Sequence, residues 1–289
     1  MKIVPYLYTP RQIFGVPGQV EVGAFKARDV AKLMMGDRKP FGPYESSPRI
    51  LSHKEALIAH SRDYVDSVME RGETGFGGHF DRANSPVTAI RYAAGNFLSA
   101  VDLATSGDSK LVMSLTSGFH HAGFDYGWGF CTFNALMIAA IRHIRNPKWD
   151  FKPVLILDGD AHHGDGCVDI IDQLSLKAKE VQYISVPGFS LINYEVHLAA
   201  AVSRIREGEF GLVLYQPGAD SLIEDRFQAG SLTRDEFVNR DERVFYSAVK
   251  SSTPLVFNLA GGYGAPGYKS TLMAHYNSWR TANRILNLS

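Results

Sequence analysis

The sequence predicts an α/β fold built on a parallel sheet, and three observations point that way. The apolar run Val154–Leu157 feeds straight into Asp-Gly-Asp, the form of a strand buried on both faces. From about residue 111 onward, such runs alternate with segments of helical spacing, the pattern of βαβ units. Four strand ends then carry ionisable or glycine-rich stretches, at the place where open α/β sheets bind ligands.

The elements follow in order. Lys2 to Tyr8 reads as a first strand, and Gly23 to Met35 as a helix with Phe25, Val30, Leu33 and Met34 on its apolar face. Residues 36–50 hold two glycines and three prolines and predict a loop. Ser52 with Glu55 has the capping-box spacing. Ser61 or Asp63 opens a further helix through Met69. Residues 71–85 are polar and glycine-rich, a long loop. Ser85-Pro86 starts a helix to about Thr105. Strands are expected at 111–115, 153–157, 181–186, 211–216 and 254–259. The helices between them are expected at 134–144, 167–174, 195–207 and 233–249, with a closing helix through Trp279.

No linker, repeat or low-complexity tract divides the 289 residues, so a single domain over 1–289 is expected. Thirty basic residues balance thirty acidic ones, which gives no sign of a nucleic-acid partner or an anionic membrane. No apolar run is long enough to span a bilayer, and the first residues lack a leader pattern. A cytoplasmic protein is expected, with Cys131 and Cys167 reduced.

The chemistry gathers at the four strand ends. After 153–157 come Asp158, Asp160, His162, His163 and Asp165, far more ionisable groups than a surface turn requires. Aspartate with histidine two positions on is a workable zinc pair, and Asp220 in Pro-Gly-Ala-Asp-Ser supplies a third ligand. Three ligands leave a fourth position open for a water or a carbonyl. His120-His121 stands after 111–115, and adjacent histidines reach one substrate only if the backbone turns between Gly118 and Gly123. Alone, the pair reads as loop histidines. Beside the spare carboxylates Asp158 and Asp165, two acid–base dyads become possible. Tyr263, in Ala-Gly-Gly-Tyr-Gly, reads either as an aromatic packed on a turn or as a phenol that donates to an oxyanion.

In this order, His-His, Gly-Phe-Cys-x-Phe-Asn (129–134), Asp-x-Asp-x-His-His-Gly-Asp-Gly, Gly-Ala-Asp and Gly-Gly-Tyr resemble the histone deacetylase and acetylpolyamine amidohydrolase family. His60-Ser-Arg-Asp-Tyr64 is similar to a further landmark of that family. The resemblance implies an arginase-like α/β fold and zinc-dependent hydrolysis of a linear amide. It makes Asp160, His162 and Asp220 the zinc ligands and His121 the principal base and acid, with His120 assisting electrostatically. Asp158 would partner His120, Asp165 would partner His121, and Tyr263 would polarise the acyl carbonyl. Gly129, Phe130 and Phe189 would wall the acyl-amine channel, and Asp158 and Ser185 would hold a structural potassium ion. Lys26 falls near the place where the family often has an arginine behind the site.

The substrate expected is a small acylated amine, such as an acetylpolyamine, or an acyl-lysine, with 71–85 as a lid or a contact for a second subunit of a homo-oligomer. Two other readings remain: a binuclear manganese ureohydrolase of the same fold, and an inactive binding protein. The first needs more bridging acids than the strand end at 217–222 offers, since position 222 is Leu.

Overall fold

The structure is a computed structural model that describes residues 2–14, 25–36, 49–75, 86–107, 109–186, 191–263 and 267–288, with only the backbone of 191 and 192. Six parallel strands form one sheet: β1 (Tyr6–Leu7), β2 (Leu111–Ser114), β3 (Val154–Asp158), β4 (Val181–Ser185), β5 (Leu212–Gln216) and β6 (Leu255–Phe257). Their spatial order is β1-β2-β6-β5-β3-β4. The chain thus leaves β2, crosses to β3 and β4, and returns through β5 and β6 to fill the gap.

Every residue of β2, β3, β5 and β6 is buried. Side chains alternate across the sheet, so each strand feeds two cores. Val112, Ile156, Leu214 and Val256 face one core, where Phe97 and Leu98 of α4 (Val87–Ser106) meet Ile138 of α5 (Ala135–Ile144). Met113, Leu157, Tyr215 and Phe257 face the other. There they pack with α1 (Lys26–Gly36), α7 (Leu191–Arg206), α8 (Arg234–Ser251) and α9 (Tyr268–Leu288). Coverage on both faces explains why the sequence shows continuous apolar runs rather than a half-polar alternation.

Local chemistry starts the helices. Ser52 and Glu55 make a reciprocal capping box on α2 (His53–Ala56), as do Thr233 and Glu236 on α8. Asn134 caps α5 through Met137 N. Several boundaries differ from the sequence expectation. β1 holds two residues, not seven: Pro5 has no N–H to donate, and Thr9 starts a short 3-10 turn at Pro10–Gln12. The helix expected through Met69 is α3 (Arg62–Asp66), which widens into a π turn at Ser67–Arg71 and stops at Gly72. β6 stops at Phe257, where the Asn258 amide turns to Ser117 O and Gln216 Oε1. α6 (Asp165–Gln173) starts two residues early, at Asp165, and α9 continues to Leu288 because no proline or glycine interrupts it after residue 267. None of the described helices is long and apolar enough to cross a membrane.

Gly95 lies inside α4, where a Cβ would stand 2.2 Å from the Arg49 carbonyl oxygen. Gly95→Ala gains about 1 kcal/mol in helix propensity. The clash with fixed backbone costs about 1–3 kcal/mol and should win. A lowered thermal midpoint is expected; a raised one would mean the segment at residue 49 moves freely.

Candidate functional site

The C-terminal ends of β2, β3, β5 and β6 open on one side of the sheet, and the ionisable stretches meet there. The loop after β2 turns sharply at His120 and His121, so both imidazoles lie together, ring centroids 4.1 Å apart. His60 braces this loop: its Nδ1 donates to Gly123 O at 2.7 Å, and its Nε2 accepts from Asn134 N at 2.9 Å. Tyr64 adds a bond from its hydroxyl to Thr132 O at 2.6 Å.

Each of the two adjacent histidines has its own carboxylate. His120 Nδ1 lies 2.7 Å from Asp158 Oδ2, and His121 Nδ1 lies 2.5 Å from Asp165 Oδ1. Asp158, at the end of β3, also accepts from the Tyr183 hydroxyl at 2.8 Å and the Gln216 amide at 3.3 Å. Asp165, at the start of α6, accepts from the Trp128 indole at 2.8 Å. With both Nδ1 atoms donating, Nε2 is the nitrogen left on each ring for other chemistry.

Asp160, His162 and Asp220 form the remaining group. Past Asp158 the chain leaves the sheet, which brings His162 Nδ1 to 3.1 Å from Asp160 Oδ1 and 2.9 Å from Asp220 Oδ2. One ligand atom from each of the three lies within 4.8 Å of the others. Among the described residues, no other group of three histidine, cysteine or acidic side chains is so placed. Asp160 is 2% exposed and Asp220 0%. Burying two neighbouring carboxylates is costly unless a cation offsets them, and two oxygens with one imidazole make an ordinary donor set for a divalent ion. The residues present therefore fit a metal.

The turn after β6 closes over this group. Gly261 has φ +54°, and a Cβ there would sit 2.2 Å from Asp220 Oδ1. Lys26, buried on α1, donates to the Gly261 carbonyl and reaches Gly262 O at 3.4 Å. Burial lowers the Lys26 amine to about 8, against the pull of Asp220, Asp160 and Asp225.

The electrostatics separate the groups. Burial would lower His120, but the charges of Asp158 and Asp160 overcome it and raise it to about 9. His121 is lowered by burial and by the neighbouring His120, against Asp165. Burial and the adjacent Asp160 push Asp220 up to about 7. Burial works the same way on Asp160, but His120 and the hydrogen bond from His162 hold it well below the carboxylate range. The two acids thus do not ionise together readily, as expected of close carboxylates. Burial, then the charges of Asp160 and Asp220, raise Tyr263 well above its ordinary value.

A cavity of about 100 Å³ joins these groups, lined by His120, His121, Asp160 and Tyr263, with Gly129 and Phe130 beside them. Phe119 and Phe133 make its inner wall apolar, with Lys26 among them. The Tyr263 ring lies 6.2 Å from Phe130 and 4.9 Å from Phe227. Ser185 stands across from Asp158 in the β3–β4 register. Phe189, and residues 76–85 of the expected lid, lie outside the described residues. Tyr183, Gln216, Trp128 and Phe227 are neighbours of the site that sequence reasoning missed. Trp128 stands one residue before the Gly-Phe-Cys-x-Phe-Asn motif, and its indole N–H was the available signal.

Residues 26–194 match the family model described as histone deacetylase domain. Over 245 residues the chain is 25% identical to histone deacetylase 2 of Arabidopsis thaliana, a stretch covering 75% of this chain and 62% of that protein. Over 131 residues it is 33% identical to the acetoin utilization protein AcuC of Bacillus subtilis (strain 168), covering 42% of this chain and 33% of that one. The matches thus span less than two thirds of these relatives' length. The crystal structure of the HDA15 HD domain superposes with a TM-score of 0.75 at 18% identity, over 99% of this chain and 89% of that one, a likeness of fold.

Gly261→Ala places a methyl group against Asp220 on a backbone that L residues rarely adopt. The variant should fold yet bind a divalent metal at least about tenfold more weakly, read by competition with a chelator. Unchanged affinity would show that the turn yields without moving Asp220.

Proposed function

Because the chain belongs to the histone deacetylase family, we propose that it is a zinc-dependent deacylase that hydrolyses the amide of an acylated primary amine. One observation carries this reading. Asp160, grouped with His162 and Asp220, lines a largely apolar cavity together with Tyr263 and with His120 and His121, each of which has its own carboxylate. The metal residues would be those three, and a zinc ion held by them supplies Lewis acidity that polarises the acyl carbonyl and makes water more acidic.

The chain's own residues carry the protons. His121, lowered towards its neutral form and fixed by Asp165, takes a proton from the attacking water at Nε2 and returns it to the leaving amine. His120, hydrogen-bonded to Asp158 at 2.7 Å, assists electrostatically by offsetting negative charge as it develops. Tyr263, its phenol kept protonated by burial, donates to the carbonyl oxygen as that atom gains charge. Phe130 and Gly129 line the approach, and the exposed Trp128 and Phe227 lie against His121 and Tyr263, ring centroids 5.0 and 4.9 Å apart. Asp158 and Ser185 would hold a potassium ion that braces β3 against β4. The balanced charge of the chain supports a small acylated amine or free acyl-lysine over a folded acylated protein.

Variants separate these roles. Asp220→Ala should lose zinc and turnover together. His121→Ala and Tyr263→Phe should keep zinc and lose turnover, by about 10²–10⁴-fold for the histidine. Tyr263→Phe should lower kcat more than it raises KM. Full zinc content in Asp220→Ala, or a near-parental rate in His121→Ala, contradicts the assignment.

Substrate size has its own test. Catalytic efficiency on an acetylated diamine should exceed that on an acetylated protein; the reverse order rejects the small-amine reading.

A further inference from the structure

Arg240 of α8 has no exposed surface, and it touches both segments that carry the metal-site acids. Its Nη1 donates to the Gly159 carbonyl and to Ser221 Oγ, each at 3.0 Å. Gly159 separates Asp158 from Asp160, and Ser221 follows Asp220. The Gly159 segment runs close against the guanidinium: a Cβ there would lie 2.9 Å from Nη1. The Ser221 hydroxyl donates in turn to Gly218 O at 2.6 Å, which closes the turn that presents Asp220.

The guanidinium is itself held. It lies over the Phe237 ring, 4.1 Å from the centroid, and its Nε is 3.3 Å from Asp241 Oδ1. Asp241 also accepts from the Tyr215 hydroxyl at 2.6 Å and the Ser278 hydroxyl at 2.5 Å. Tyr215 belongs to β5, the strand that delivers Asp220. A buried ion pair is a weak device for stability, because apolar side chains of the same volume commonly serve as well. A rigid planar guanidinium whose Nη1 joins two loops while its Nε is held on its own helix is a strong device for geometry.

We propose that Arg240 is a positioning residue for the metal centre: by bridging Gly159 O and Ser221 Oγ, it fixes the spacing of Asp160 and Asp220 and so sets how tightly a divalent ion is held. This rests on the metal site described under the proposed function. Lysine keeps the charge and the apolar stem, but one ammonium replaces Nη1 and Nε together and cannot hold both loop partners and Asp241 at once. Ser221→Ala removes one of the two anchors and leaves Arg240 its bonds to Gly159 and Asp241.

The test is the zinc affinity of the full chain, measured by competition with a chromophoric chelator, beside the thermal midpoint of the zinc-free protein. Arg240→Lys should weaken zinc binding by about 10–100-fold, the range for groups that support metal ligands from behind. Ser221→Ala should weaken it severalfold. Phe245→Leu is the control: it thins the packing of the same helix against Tyr215 and Phe257 without a bond to either loop. It should lower the thermal midpoint and leave zinc affinity unchanged. Parental affinity in both Arg240→Lys and Ser221→Ala, or an equal loss in Phe245→Leu, overturns the proposal. If Arg240→Lys does not fold, Ser221→Ala decides alone, and parental affinity there overturns it. A parent chain that binds no zinc would instead overturn the metal assignment, and this proposal with it.

Discussion

Two carboxylates, Asp160 and Asp220, are buried side by side, and the architecture around them answers that constraint. An isolated buried carboxylate is expensive, and two in contact repel. The sheet nevertheless forces them together. β3 and β5 are hydrogen-bonded neighbours with Asp158 opposite Gln216, so the turns that follow emerge beside each other. His162 lies within hydrogen-bonding distance of both acids, and Ala161 N donates to Asp220 Oδ1 at 3.1 Å. Gly261 passes where any side chain would collide with Asp220. A divalent cation at this point would turn a repulsive pair into a ligand set.

The two adjacent histidines show how position alone separates the protonation of like groups. His120 faces Asp158, Asp160 and Asp220, and it is raised. His121 has Asp165 on one side and a charged His120 on the other, and it is lowered. Pushing apart the protonation of two like groups is a recurrent way to assign an acid and a base. A bound dication would lower both, and most directly His120, whose rise draws on Asp160 and Asp220. The aromatic groups then set the polarity of the space in front of them. Tyr263 lies near Phe130 and Phe227, surroundings in which a hydrogen bond from its hydroxyl to a charge would count for more than in water.

Much of this was legible locally. Val154–Leu157 leading into Asp-Gly-Asp announces both a doubly covered strand and a site, because each feature follows from a few consecutive residues. Asp220 stands out as a lone acid at the end of an apolar run. Other features depend on distant segments meeting. Tyr183 reads as an ordinary strand aromatic until β4 pairs with β3 and brings its hydroxyl to Asp158. Trp128 reads as a loop aromatic until α6 begins at Asp165 beside it. Arg240 sits in a helix rich in charge, where nothing local distinguishes the one guanidinium that turns inward from those that reach solvent. The short β1 and the early end of β6 are of the same kind, set by what the neighbouring strand and loop offer as partners.

The most direct test of the central claim is X-ray absorption at the zinc edge of the zinc-loaded chain. The account predicts one zinc per chain with oxygen and nitrogen neighbours at about 2.0–2.2 Å, a single imidazole, and no sulfur at about 2.3 Å. Sulfur scattering from Cys131 or Cys167, two or more imidazoles, or a second metal at about 3.5–4 Å would contradict it.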